Sequence, residues 1–221
     1  MITDLETYER VYDSDYWMAI RNSWAEDHNV LDLCGPFYRG MRTPVATKEV
    51  KTASDLNGVK LRMNSSALWN AAWQACGATT VPITMGELYT SFQSGVCDAT
   101  EIPLSDSGLL NIPEVVDYVM PTNHVLECAG IFMSNSTFEA LPEEYQEALV
   151  KAGKDAMAEC APLIEEEEAH WLEKFKEAGC EVVDVDIASF REASEAWWKE
   201  MFASEWSNIS YEDCMALING D

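Results

Sequence analysis

The sequence predicts an α/β protein, and three observations carry this prediction. Segments typical of strands and of helices alternate every dozen or so residues between Lys48 and Glu101, which implies parallel strands joined by right-handed crossovers. The length of 221 residues suits one large domain or two small lobes. The composition, 48% hydrophobic and 24% charged, is that of an ordinary globular protein.

The first part of the chain is predicted to contain helices and then extended backbone. Apolar residues recur at helical spacing through residues 4–27, and Asp13-Ser14-Asp15 is a natural break between two helices. Residues 30–34 are typical of a strand. Gly35-Pro36 should interrupt it, and residues 37–42 should continue as an extended segment.

The central stretch is predicted as alternating short elements. Thr52 caps a one-turn helix that Gly58 ends, and Thr84 with Glu87 forms a capping box at the start of another helix. The expected strands are residues 48–50, 59–63, 79–83 and 96–100, and the expected helices are residues 66–77 and 84–95.

The last part of the chain is predicted to be mainly helical. A long helix begins at Pro142 and ends at Gly179, with Pro162 inside it. The other expected elements are a helix at 105–111, strands at 115–120, 125–133 and 180–185, and helices at 187–206 and 211–218.

The balance of charge limits the partners of the protein. The chain carries 39 acidic and 14 basic residues, a formal net charge of −25, which argues against nucleic acid and against anionic membrane surfaces. No stretch approaches the roughly 20 apolar residues of a membrane helix. The first residues have neither the basic nor the apolar part of a secretion signal, so the literal sequence predicts a cytoplasmic location.

The sequence offers no catalytic, cofactor or metal motif. The seven cysteines are widely spaced and form no C-x-x-C pair, so a zinc ribbon or a redox dithiol is not expected. We find no G-x-S-x-G, Walker, G-x-G-x-x-G or H-E-x-x-H motif. An enzyme of unknown reaction and a carboxylate-sensing module stay open as alternatives to a binding protein.

Arg62 is the main candidate for ligand binding. It lies one residue before the end of the predicted buried strand 59–63, and α/β sheets bind ligands at the carboxyl ends of their strands. We expect its guanidinium to hold the carboxylate of a small organic acid. The alternative is that Arg62 pairs with a structural acid such as Glu101.

Several motifs in one order resemble a known family. They are Val50–Arg62 (VKTASDLNGVKLR), Gly77 with Pro82, Met85–Tyr89 (MGELY), Gln93–Asp98 (QSGVCD), Glu101–Pro103 (EIP), Thr122–His124 (TNH) and Leu141–Gln146 (LPEEYQ). Over about residues 29–206 the chain resembles the DctP-type solute-binding proteins of TRAP (tripartite ATP-independent periplasmic) transporters. The resemblance implies a two-lobed periplasmic-binding-protein-like fold whose long helix bridges the lobes, and it gives Arg62 the carboxylate salt bridge.

The resemblance also implies partners and a location. It predicts a monomer that binds a small carboxylate without a cofactor and delivers it to TRAP membrane permease subunits. Such a protein works in the periplasm, or on the cell surface of a Gram-positive organism. Lobe I is expected to comprise residues 1–39 and 128–195, and lobe II residues 40–127 and 196–221. The family's first βαβ segment is not matched, so we expect this 221-residue form to bind weakly or not at all.

Further ligand contacts are expected around Arg62, each with a plainer alternative. Ile102 stands where the family often has asparagine, which favours a less polar ligand. The other candidates, with their alternatives, are Lys48 (a second basic contact, or solvated), Asn64 and Ser65 (cleft rim, or helix caps), Met85 and Tyr89 (covering the ligand, or core), Glu101 (binding a ligand hydroxyl, or orienting Arg62) and Asn123 (opening a strand that crosses the hinge). His124 is interpreted as structural, and Trp69 and Trp73 as core residues.

Overall fold

The chain forms two compact units in the computed structural model, which describes residues 2, 4–206 and 208–220. The first unit comprises Met1–Gly40, Val125–Glu167 and Ala216–Asp221, and the second comprises Met41–His124 and Glu168–Met215. The divisions near residues 40 and 125 lie close to the predicted lobe boundaries. Residues 168–195 and 216–221 fall in the other unit from the one expected. For residues 168–195 the reason is that Phe175, Cys180 and Val183 are buried in hydrophobic clusters of the second unit.

The first unit begins with two helices, as predicted. They are α1 (Leu5–Tyr12) and α2 (Asp15–His28). Asp4 accepts a hydrogen bond from the backbone N–H of Thr7 at 2.7 Å, and Ser14 accepts one from that of Trp17 at 3.2 Å. These side chains cap the helices, so the break predicted at residues 13–15 is confirmed.

A single strand replaces the two extended segments expected after α2. Strand β1 (Val30–Ala46) runs through Gly35 and Pro36 without a break. A Cβ atom at Gly35 would lie 3.3 Å from the Tyr12 hydroxyl, a tight contact, and 3.5 Å from the Cα atom of Gly130, an ordinary one. Strand β6 (Leu126–Ser134) pairs with β1.

The sheet of the second unit is mixed rather than all parallel. Its strands lie in the order β3-β2-β4-β1-β5-β7. They are the end of β1, β2 (Lys60–Met63), β3 (Thr79–Pro82), β4 (Ala99–Pro103), β5 (Tyr118–Val119) and β7 (Glu181–Val182). The pairs β2–β3, β2–β4 and β5–β7 are parallel, but β1 is antiparallel to β4 and β5. The prediction of parallel strands concerned residues 48–101 and is confirmed for β2, β3 and β4, whereas β1 precedes that stretch.

Apart from α6, which was not predicted, the helices occupy nearly the predicted positions. They are α3 (Ala67–Ala75), α4 (Leu88–Gln93), α5 (Leu104–Leu109), α6 (Asn135–Glu139), α7 (Glu143–Glu177), α8 (Ile187–Ser204) and α9 (Tyr211–Asn219), with 3₁₀ turns at Ala53–Leu56, Met85–Glu87 and Ile112–Glu114. Helix α7 contains Pro162 and contributes residues to both units. Among the described residues, no helix is long and apolar enough to span a membrane.

Residues 48–50 do not form the predicted strand. The backbone N–H of Thr47 donates to the carbonyl of Asp98 at 2.9 Å, and the chain then leaves the sheet. Val50 is nevertheless buried in one of the hydrophobic clusters. An apolar residue in an extended loop therefore resembled a strand in the sequence.

Alternation along the strands gives the sheet of the second unit two different faces. Leu61, Met63 and Ala99 belong to one buried cluster, whereas Val45 and Ile102 belong to the other. Side chains two residues apart on a strand, or directly opposite on neighbouring strands, share a face. The registers then place Arg62 with Thr100, Ile102, Thr43 and Val45 on one face. They place Arg42 and Glu101 on the other face.

Gly108 in α5 lies against the indole ring of Trp171, and a Cβ atom there would overlap the ring. Because the neighbour is a bulky ring, we expect Gly108→Ala to lower the free energy of unfolding by about 1–3 kcal/mol. Chemical denaturation measures this. Gly86→Ala is the matched control, since nothing lies within 4 Å of a Cβ atom at Gly86. Equal stability of the two variants would contradict the packing argument.

Candidate functional site

Arg62 is a buried arginine whose side chain donates one hydrogen bond within the described part of the chain. Its side chain lies near the end of β2, and the residue is 6% exposed. Its Nε donates a hydrogen bond to the carbonyl of Ile83 at 2.8 Å. Among the described residues, no acid lies within ion-pair distance of Arg62, and its terminal guanidinium nitrogens have no hydrogen-bond acceptor. Burial lowers the pKa of Arg62, opposed by the charge of Glu101, yet a guanidinium stays protonated at neutral pH.

A second arginine in the same unit is fully engaged. Arg42 on β1 donates from Nε to Glu101 Oε2 at 2.7 Å and from Nη2 to Glu101 Oε1 at 2.8 Å. A third hydrogen bond reaches the backbone carbonyl of Glu101 at 2.5 Å. The guanidinium also lies 4.6 Å from the ring centre of Trp69, a cation–π distance. Arg42 and Glu101 therefore form a bidentate, charge-neutral pair.

His124 completes a chain of hydrogen bonds that ends at Arg42. Its Nε2 lies 3.1 Å from Glu101 Oε2, its Nδ1 lies 2.7 Å from the Thr122 hydroxyl, and its ring contacts Trp73 edge-on at 4.9 Å. When the Thr122 hydroxyl donates to Nδ1, the Nε2–H group donates to Glu101. Burial alone would raise the pKa of Glu101, but the hydrogen bonds and charges of His124 and Arg42 outweigh it and lower that pKa.

The partner of Glu101 is therefore Arg42, not Arg62. From the sequence, Glu101 was expected to pair with Arg62, to orient Arg62 or to bind a ligand hydroxyl, and the contact with a ligand hydroxyl stays a prediction. Glu101 interacts with Arg62 only through its charge, because the two side chains leave the sheet from opposite faces. The registers of β1 and β2 on β4 therefore determine which arginine pairs with Glu101.

The remaining candidates are scattered around the ends of the strands. Lys48 is half exposed, and its Nζ pairs with Asp98 Oδ2 at 3.1 Å. The same carboxylate accepts from the backbone of Lys60 at 2.9 Å, at the start of β2 rather than near Arg62. Asn64 accepts from the backbone of Ser66 at 2.9 Å, which is a local turn contact, and Ser65 is exposed.

Met85, Tyr89, Ile102 and Asn123 differ in their surroundings. Met85 is 36% exposed. The Tyr89 hydroxyl donates to Glu114 at 2.9 Å. Ile102 is buried on the same face of the sheet as Arg62. Asn123 is exposed and has a positive φ of 46°. A ligand contact at each of these four residues stays a prediction.

Sequence reasoning missed Arg42 and underrated His124 and Trp69. Nothing local distinguishes Arg42, because its partner Glu101 is 59 residues away along the chain. The antiparallel register of β1 on β4 brings the two together. Only a correct pairing of these strands would have identified Arg42.

Comparison with known proteins gives a consistent family. The family model for DctP, a bacterial extracellular solute-binding protein of family 7, matches residues 1–205. The chain is 31% identical over 157 residues to the 2,3-diketo-L-gulonate-binding periplasmic protein YiaO of Escherichia coli, covering 71% of this chain and 48% of YiaO. It is 26% identical over 198 residues to the sialic acid-binding periplasmic protein SiaP of Vibrio cholerae, covering 89% and 61%.

A solved structure gives the same result. The TRAP periplasmic solute-binding protein of Ochrobacterium anthropi, with bound L-fuconate, matches with a TM-score of 0.85 and 26% identity. The match covers 97% of this chain and 70% of that chain.

These matches confirm the predicted family and fold class, and the relatives are solute-binding proteins rather than enzymes. The chain spans about half to three fifths of the length of the curated relatives, 48% for YiaO and 61% for SiaP. Since the family model matches residues 1–205, the chain belongs to the DctP family of TRAP-type solute-binding proteins.

Proposed function

We propose that this chain binds a small organic acid, with Arg62 forming a salt bridge to the carboxylate of the ligand. The observation that carries the proposal is a buried guanidinium whose terminal nitrogens have no acceptor among the described residues. These terminal nitrogens are not fully buried, so a ligand can reach them, and a carboxylate accepts hydrogen bonds from two of them at once with good geometry. Arg62 is suited to that role, whereas Arg42 is already paired with Glu101.

The ligands of the relatives fit the same chemistry. Diketogulonate, sialic acid and fuconate, which appear in the names of three relatives, are all acids that carry a carboxylate. We further propose that the protein acts in the periplasm and delivers its ligand to TRAP permease subunits. Both points follow from family membership and from relatives named as periplasmic.

The direct test is an NMR titration with L-fuconate, L-galactonate and D-glucuronate. Because the chain spans only part of the length of its relatives, each titration should continue to high millimolar ligand. We expect Arg62→Ala to weaken binding by about 2–5 kcal/mol, the range for removing one partner of a buried charge pair. That loss arises because the ligand carboxylate would be left without its counter-charge.

Arg191→Ala is the matched control, since it removes the same charge from an exposed position on α8. We expect its affinity to equal that of the parent chain. Unchanged carboxylate binding by Arg62→Ala, with the fold intact by circular dichroism, would refute the role of Arg62.

A further inference from the structure

We infer that the site prefers acids with one carboxylate to acids with two. This inference rests on the proposed function and deepens it by naming the charge class of the ligand. It starts from the pairing of the two arginines in the second unit. The charges of Arg42 and Glu101 cancel within one bidentate pair, whereas Arg62 has no ion-pair partner among the described residues. One ligand carboxylate therefore neutralises the uncompensated charge.

Arg42 is not available to a second carboxylate. Three of its hydrogen bonds go to Glu101, including one to the backbone carbonyl, and its guanidinium is stacked on Trp69. Glu101 is only 2% exposed. A ligand that took Arg42 would leave the Glu101 carboxylate buried with His124 as its remaining partner, and losing the partner of a buried charge is unfavourable.

Lys60 shares one face of the sheet with Arg62, but it lies at the start of β2, where its Nζ donates a hydrogen bond to the backbone carbonyl of Gly95. The neighbours of Arg62 given by the strand register are Thr43, Val45, Thr100 and Ile102. All four are buried and uncharged. Lys48 is paired with Asp98, which also contacts the start of β2. A second carboxylate held beside these four uncharged residues would be desolvated without a counter-charge.

The net charge of the protein acts in the same direction. With a formal charge of −25, the chain repels anions at long range, and a doubly charged ligand is repelled more than a singly charged one. The positive charge of Arg62 offsets the repulsion felt by one carboxylate of the ligand, but not the repulsion felt by a second. We therefore expect monocarboxylates to bind on the order of tenfold to a hundredfold more tightly than matched dicarboxylates.

The test uses pairs of acids that differ only at one end. D-Gluconate and D-glucarate share a carbon chain and its hydroxyl stereochemistry, as do D-galactonate and galactarate, and only the terminal carbon changes from alcohol to carboxylate. Each pair is titrated at pH 7, where both carboxylates are ionised. The expected result is tighter binding of gluconate and galactonate in their respective pairs. Equal or tighter binding of the dicarboxylates would overturn the inference.

The outcomes separate this inference from the proposed function. If acids bind and lose affinity in Arg62→Ala, but dicarboxylates bind as well as monocarboxylates, only the charge preference fails. If no acid of either series binds at high millimolar concentration, the expectation that this 221-residue form does not bind is confirmed. The proposed function of this chain is then refuted, and the preference with it.

Discussion

We expect Glu101→Ala to lower the free energy of unfolding by about 3–5 kcal/mol, the cost of breaking a buried ion pair by removing one partner. Glu101 is 2% exposed and accepts from Arg42 at 2.7 Å and 2.8 Å. Alanine would leave the Arg42 guanidinium without its carboxylate and would remove the acceptor near His124 Nε2. Urea denaturation measures the effect.

Glu192→Ala is the matched control, because it makes the same chemical change at an exposed position on α8. Surface substitutions of this kind change stability by about 0.5 kcal/mol or less. A loss at Glu101 no greater than that at Glu192 would contradict the view that the pair stabilises the second unit.

The same variant has a pH signature. The pKa of Glu101 in the folded protein is lowered from 4.5, so its contribution to stability is fully present above pH 4.5. That contribution is lost as the pH falls through the folded-state pKa. The stability difference between the parent chain and Glu101→Ala should therefore narrow below pH 4.5. A difference that stays constant from neutral pH to pH 3 would contradict the lowered pKa.

The helices could be predicted because their signals are local. Gly58, Gly77 and Gly95 all have positive φ angles after a helical segment, as the sequence indicated. The break between α1 and α2 was likewise predictable, because Ser14 needs only its own neighbours to act as a cap. Signals of this kind depend on residues within one turn.

Local signals failed at Thr84, where the chain forms a 3₁₀ turn instead of the expected first turn of an α-helix. The capping box expected at Thr84 is not formed, because residues Met85–Glu87 make a 3₁₀ turn. The Thr84 hydroxyl donates directly to the Glu87 carboxylate at 2.7 Å, and neither side chain caps the backbone. The residue pattern was right, but the tighter turn directs the side chains differently.

The candidate site likewise has one part that the sequence predicts and one part that it does not. Arg62 could be predicted because a strand end in an α/β sheet is a general place for ligands. The pairing of Arg42 with Glu101 could not, since it depends on β1 entering the sheet antiparallel to β4. Sequence periodicity predicts that a strand exists, but it does not give the direction in which that strand pairs.

Helix α7 shows how a helix end can belong to a core that the sequence assigns elsewhere. Residues up to Glu167 belong to the first unit, and the prediction kept the rest of α7 with them. Phe175, however, is fully buried in the cluster of the second unit that also contains Ile102 and Leu88. The partly buried Trp171 and Leu172 pack against the same cluster.

We expect Phe175→Ala to lower the free energy of unfolding by about 3–5 kcal/mol, as is typical when a buried phenylalanine is truncated. The ring is 0% exposed, so its removal loses apolar burial and leaves a cavity in the cluster. Urea denaturation with m-values measures the loss. Phe132→Ala removes the same atoms from a residue that is 51% exposed, and we expect it to cost less than half as much.

Phe175→Leu separates the volume of the side chain from its position. Leucine retains most of the apolar volume, and swaps of this kind usually cost less than about 1.5 kcal/mol. Because Ile102 lies in the same cluster and on the same face of the sheet as Arg62, the cavity should also loosen the wall beside that arginine. Phe175→Ala should then weaken acid binding while Phe175→Leu retains it. A Phe175→Ala variant as stable as Phe132→Ala would mean that the end of α7 does not support the sheet that carries Arg62.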